Sequence, residues 1–118
     1  MPMSQLTLNL VEGSVSFNFT PQAARELQAQ IAELMESLKA VAAKASAGGA
    51  GKATRQKSME YRYTGDVFFE MECNPNIWPS PFAAKVLITV RDERIRLTTE
   101  AELTRAIEDL NQYLDRVG

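Results

Sequence analysis

The side chains able to do chemistry in this sequence are carboxylates, arginines, one tryptophan and one thiol, because its 118 residues contain no histidine. Without imidazole there is no Ser-His-Asp or Cys-His triad and no His-bearing metal site. A single cysteine, Cys73, excludes an intramolecular disulfide and a Cys-rich zinc site, and no basic neighbour is at hand to make its thiol reactive. Glu70 and Glu72 share a strand face and could handle a proton or a cation, yet nothing around them resembles a nucleophile or its base. No catalytic residue, metal site or cofactor is therefore expected, and the reading is non-enzymatic.

Recognition chemistry is better represented. Ile77-Trp-Pro-Ser-Pro-Phe82 sets the only tryptophan in a proline-stiffened loop with Ile77 and Phe82 beside it. Tryptophan is favoured at interface hot spots, and a loop already held by prolines loses little entropy on binding. The competing reading of Trp78 is a plug for the open end of the core. Arg91, Arg94 and Arg96 fall on the polar side of one hairpin, and Glu60, Glu70 and Glu72 on the polar side of another. Neighbouring hairpins would turn these into a cross-strand ion-pair ladder. Separated hairpins would leave three guanidinium groups as an anion or acidic-protein site, with Phe68 as an exposed aromatic anchor.

A third feature is a basic stretch, Lys44, Lys52, Arg55 and Lys57, with no acid among them. Lys52, Arg55 and Lys57 could touch phosphates without reading sequence, although no aromatic residue interleaves to stack on bases. The same stretch looks superficially like a phosphate-binding loop. The pattern fails at Ser46, where glycine is required, and at Ala53, where serine or threonine is required, and it follows a helix instead of a strand. Asn18-Phe-Thr20 matches a glycosylation acceptor, but Pro21 follows it and no export signal precedes it, so the match is read as chance.

These groups must be held by regular elements, and hydrophobic periodicity supplies them. Residues 6–19 alternate as a hairpin turning at Glu12-Gly13, with Leu10 facing Val15, Leu8 facing Phe17 and Leu6 facing Phe19. Thr20-Pro21 starts a helix whose stripe is Leu27, Ile31, Leu34, Leu38 and Val41. Residues 46–57 carry three glycines and no large apolar residue, and read as a flexible linker. A second hairpin follows, with Thr64-Gly65-Asp66 as its loop and Tyr63–Val67, Tyr61–Phe69 and Met59–Met71 as pairs. After the proline-rich connection, expected to be irregular, a third hairpin has Asp92-Glu93 at its tip and pairs Val90 with Ile95 and Ile88 with Leu97. Thr99-Glu-Ala-Glu102 reads as a capping box before a last helix with Leu103, Ile107, Leu110, Leu114 and Val117 in one stripe.

The order is β-β-α-β-β-β-β-α, and the expected fold is a two-layer α+β domain, a mainly antiparallel sheet with both helices on its apolar face. Strand order cannot be read from the pattern. Thirteen basic and 15 acidic residues leave a formal charge of −2, which argues against a dedicated polyanion binder. With a lone thiol, no signal-like leader and no apolar run long enough to span a bilayer, a cytoplasmic location is the expectation. The functional expectation is a small interaction or regulatory module that binds another protein. Ile77, Trp78, Phe82, Phe68, Arg91, Arg94 and Arg96 would make the contact. The alternatives are an accessory nucleic-acid binder and a small-ligand carrier or enzyme. A second copy covering an open sheet edge makes a homodimer a further expectation.

Overall fold

The structure is a computed structural model and describes residues 4–46 and 56–117. Strands β1 (Ser4–Leu10) and β2 (Gly13–Phe19) lead into helix α1 (Pro21–Ser46). Strands β3 (Met59–Thr64), β4 (Phe68–Cys73), β5 (Lys85–Arg91) and β6 (Arg96–Glu102) then run directly into helix α2 (Leu103–Val117). The protein is α+β with the expected element order. Its strands divide into two antiparallel sheets, one of β1-β2 and one of β3-β4-β5-β6, the larger a simple meander in chain order. No helix among the described residues is long and apolar enough to cross a membrane. Of the anticipated linker, Ser46 closes α1 and Gln56 and Lys57 lead into β3, while the stretch between them lies outside the described residues.

Each hairpin buries the expected face, and each is paired two residues away from the expected register. In the first, Leu6 lies opposite Phe17, Leu8 opposite Val15 and Leu10 opposite Gly13, so the turn is Val11-Glu12 and not Glu12-Gly13. Neither turn residue has a positive φ, whereas Gly13 takes φ +141°, a conformation other residues rarely adopt. The glycine thus serves as the first residue of the returning strand and leaves the turn to its predecessors. In the second hairpin Met59 faces Cys73, Tyr61 faces Met71 and Tyr63 faces Phe69, moving the three-residue loop to Gly65-Asp66-Val67. A Cβ at Gly65 would meet the Tyr63 ring, 2.7 Å from its Cζ, so a larger residue there would displace that ring. In the third, Val90 faces Leu97 and Ile88 faces Thr99. Ile95, expected inside, is instead 67% exposed in the tip loop.

Two further expectations are corrected. Thr99 to Glu102 continue β6 and form no capping box; α2 begins at Leu103, whose N–H donates to the Ala84 carbonyl at 3.0 Å. The proline-rich connection contains one turn of 3-10 helix at Pro75–Ile77, since proline is tolerated at a first helical position. Asn74 caps that turn by accepting from the Asn76 N–H at 3.0 Å. Asn76 in turn exchanges two hydrogen bonds of 2.8 Å with the Gln56 backbone and so ties the loop to the approach of β3.

The start of α1 is as expected, with the Ala23 N–H donating to Thr20 Oγ1 at 3.1 Å. Leu27, Ile31, Leu34 and Leu38 are buried, against the inner-face residues of β3 to β6 and Leu103, Ala106, Leu110 and Tyr113 of α2. Aromatic rings join the two sheets: Phe17 lies 4.8 Å from Phe69, and Phe19 lies 4.8 Å, edge-on, from Tyr63. Both helices pack on this inner side, so the opposite face of the four-stranded sheet carries no helix among the described residues.

Candidate functional site

Alternation along β3 to β6 sends every second side chain to the uncovered face, and the register places them in rows across the strands. At the end of the sheet nearest the two hairpin tips the row is Thr64, Phe68, Arg91, Arg96. Next comes Arg62, Glu70, Thr89, Thr98, and then Glu60, Glu72, Leu87, Glu100. The face is therefore basic at one end and acidic at the other.

At the basic end the Arg91 guanidinium lies 4.5 Å from the centre of the half-buried Phe68 ring. Arg91 and Arg96 stand directly opposite each other, and neither these two nor Arg94 forms an ion pair among the described residues. Arg94 belongs to the exposed tip loop. Asp92 in that loop is occupied by the backbone N–H groups of Arg94 at 2.7 Å and Ile95 at 2.8 Å, which hold its carboxyl below the usual aspartate range. Asp66, on the neighbouring tip, accepts from Asn18 Nδ2 at 2.7 Å.

The expected ion-pair ladder does not form, although β4 and β5 are neighbours. Glu70 faces Thr89 and Glu72 faces Leu87, so the glutamates sit one and two rows away from the arginines. The one cross-strand ion pair on this face among the described residues is Arg62 Nε to Glu70 Oε2 at 2.7 Å, a pair that the two-residue shift created.

At the acidic end Glu60, Glu72 and Glu100 line a cleft of about 280 Å³ with Leu87, Ile77 and Trp78, and Lys85, opposite Glu102, is the one cation among its lining residues. Burial first, then the neighbouring Glu70 and Glu60, raise the Glu72 carboxyl above its ordinary value. Among the described residues no group of three His, Cys, Asp or Glu is close enough to hold a metal ion. Trp78 is half-buried against the core and lies beside Cys73, whereas Ile77 is 65% and Phe82 84% exposed. Burial pushes the Cys73 thiol up to about 11, outweighing the opposite pull of Trp78.

The predicted contact residues are thus gathered into two groups. Phe68, Arg91 and Arg96 share the basic row with Arg94 beyond it, while Ile77 and Trp78 border the acidic row at the other end. Lys57 is exposed and shares a cleft with Glu33, Glu36 and Glu60, a setting unlike an anion site; Lys52 and Arg55 lie outside the described residues. The sequence reading missed Glu100 and Leu87, because Glu100 was taken into a helix cap and only the strand order brings it level with Glu72. It also missed Asp109 of α2, a buried carboxylate that accepts the Asn9 backbone N–H at 2.7 Å and Asn9 Nδ2 at 2.8 Å. No protein-family model, curated protein or solved structure matches this chain.

Proposed function

We propose that the protein is a binding module, not an enzyme, and that it engages a partner protein through the uncovered face of the four-stranded sheet and the adjoining loop. The observation that carries this reading is the exposure of Ile77, which borders the acidic end of a sheet face that no helix covers among the described residues, and of Phe82 further along the same loop. Exposed apolar groups adjoining a charged face suit the anatomy of a protein contact. Ile77 and Phe82 supply the apolar contact, and Arg91, Arg94 and Arg96 supply orientation and a faster encounter. Trp78 acts by holding the loop, through its contact with the core and with Cys73.

The division of labour dictates the test. A protein captured by the wild type is identified and purified, and its affinity is measured against Phe82→Ala, Ile77→Ala and Arg91→Glu. The alanine variants should weaken binding mainly through dissociation, and Arg91→Glu mainly through a slower, salt-sensitive association. Unchanged affinity in all three variants would refute the assignment of this face.

A further inference from the structure

The uncovered face is not merely charged but self-complementary. Its basic row contains Arg91 directly opposite Arg96, and its acidic row contains Glu60 directly opposite Glu72. Like charges facing each other across strands are destabilising. Here the chain holds one such pair of each sign at opposite ends of a single surface. The row between them is close to neutral: Arg62 is paired with Glu70, and Thr89 and Thr98 follow.

Resting on the reading of this face as an interaction surface, we infer that its partner is a second copy of the chain, stacked face to face with the basic row of each copy over the acidic row of the other. The charge pattern selects the symmetry axis. A two-fold axis in the interface and parallel to the strands would lay glutamates on glutamates and arginines on arginines. An axis parallel to the rows, passing over Glu70 and Thr89, reverses the strand direction and brings the opposite signs of the outer rows together, while the middle row, neutral through its Arg62–Glu70 pair, lies over its own copy. Glu100 then meets Arg96 of the second copy, and Glu72 and Glu100 flank its Arg91; symmetry repeats both contacts at the other end. The acidic and basic rows lie four residues apart along each strand, about 13 Å at ~3.3 Å per residue, which separates the two contacts by more than a Debye length at physiological salt. Leu87, 40% exposed in the acidic row, packs under the aliphatic stem of the incoming arginine.

The test is the oligomeric state of the full chain by sedimentation, from about 10 to 500 µM at low salt. The wild type should dimerise and shift toward monomer as salt rises to about 0.5 M. Arg91→Glu/Arg96→Glu makes both ends acidic, and Glu72→Arg/Glu100→Arg makes both ends basic. Each alone should raise the dissociation constant by at least about tenfold, while an equimolar mixture should form a heterodimer with both contacts restored. Circular dichroism checks folding, and if a double variant folds poorly the exposed single exchanges Arg96→Glu and Glu100→Arg give the same comparison. A wild type that stays monomeric, charge-reversed variants that dimerise as the wild type does, or a mixture that fails to associate would each overturn the inference. A monomeric wild type whose captured partner is still lost on Phe82→Ala would overturn only the second copy and leave the interaction face standing.

Discussion

Cys73 shows how one residue's chemistry is decided by its neighbours and not by its type. It is 5% exposed at the end of β4, with Trp78 closing over it, and its thiol is pushed up to about 11. The thiolate is the reactive form, so native Cys73 should react with a disulfide reagent near neutral pH roughly a hundredfold more slowly than in the denatured chain. Stopped-flow labelling with and without denaturant checks this, and equal rates would show that the Trp78 loop opens freely. Asp109 is a buried carboxyl group whose two oxygens are both in use. Its carboxylate holds two Asn9 donors and lies 3.4 Å from Arg105 Nε, fastening α2 to β1 across a separation of 100 residues. Asp109→Ala leaves those donors without an acceptor and should lower stability by about 1–3 kcal/mol in urea denaturation, and an unchanged midpoint would mean that Asn9 finds another acceptor. Nothing in the sequence marks Asp109, since it sits among helix residues that read as solvent-facing until β1 is laid against them.

At the scale of elements, the three hairpins share one lesson about what alternation can specify. Leu6, Leu8, Phe17 and Phe19 are buried as expected, and so are Met59, Tyr61, Phe69 and Met71. A face pattern of period two fixes register only up to steps of two, because a two-residue slip returns every side chain to the same face. The remaining choice belongs to the loops. Gly13 at φ +141° and Gly65 under the Tyr63 ring settle two of them, through backbone and steric demands that hydropathy does not record. Nuclear Overhauser contacts should therefore join Leu8 to Val15 and Leu6 to Phe17, and should be absent for Leu6 with Phe19 as a direct cross-strand pair. The opposite result would restore Glu12-Gly13 as the turn. The slip also decides the candidate site, since it sets Arg62 against Glu70 and separates Glu70 and Glu72 from the arginines. Helix α1 was legible to its first residue because Thr20 and Pro21 act locally. Helix α2 starts later than its capping pattern suggests because Thr99, a good cap, is also a favoured strand residue, and Glu102 is exposed at the strand's end.

At the scale of the whole molecule, hydropathy foretold that six strands and two helices share a core, but not that the strands form two sheets. That division depends on which surfaces meet, and the meeting is made by aromatic side chains. Tyr61 of β3 donates to the Ala23 carbonyl of α1 at 3.1 Å, and Tyr113 of α2 donates to the Phe19 carbonyl at the end of β2 at 2.8 Å. These phenols join sheet to helix and helix to hairpin, and both are buried. Burial raises Tyr61, aided by Glu26 and Tyr63, and burial raises Tyr113 against the opposing pull of Arg116; Tyr63 and Cys73 are raised as well, chiefly by burial. The ordinary values are 10.0 for the phenols and 9.0 for the thiol, so the folded chain holds these protons more tightly than the unfolded chain. Their contribution is thus complete below about pH 9 and is lost as pH climbs through 9 and beyond. The urea midpoint of the wild type should be flat from about pH 7 to 9 and fall steeply above it. Tyr61→Phe should begin about 1 kcal/mol lower at neutral pH, for want of the bond to Ala23, and then fall less steeply, because it has one proton fewer to lose. Parallel curves for the two proteins would place the alkaline weakness elsewhere, and the absence of any offset at neutral pH would deny Tyr61 its part in holding β3 to α1.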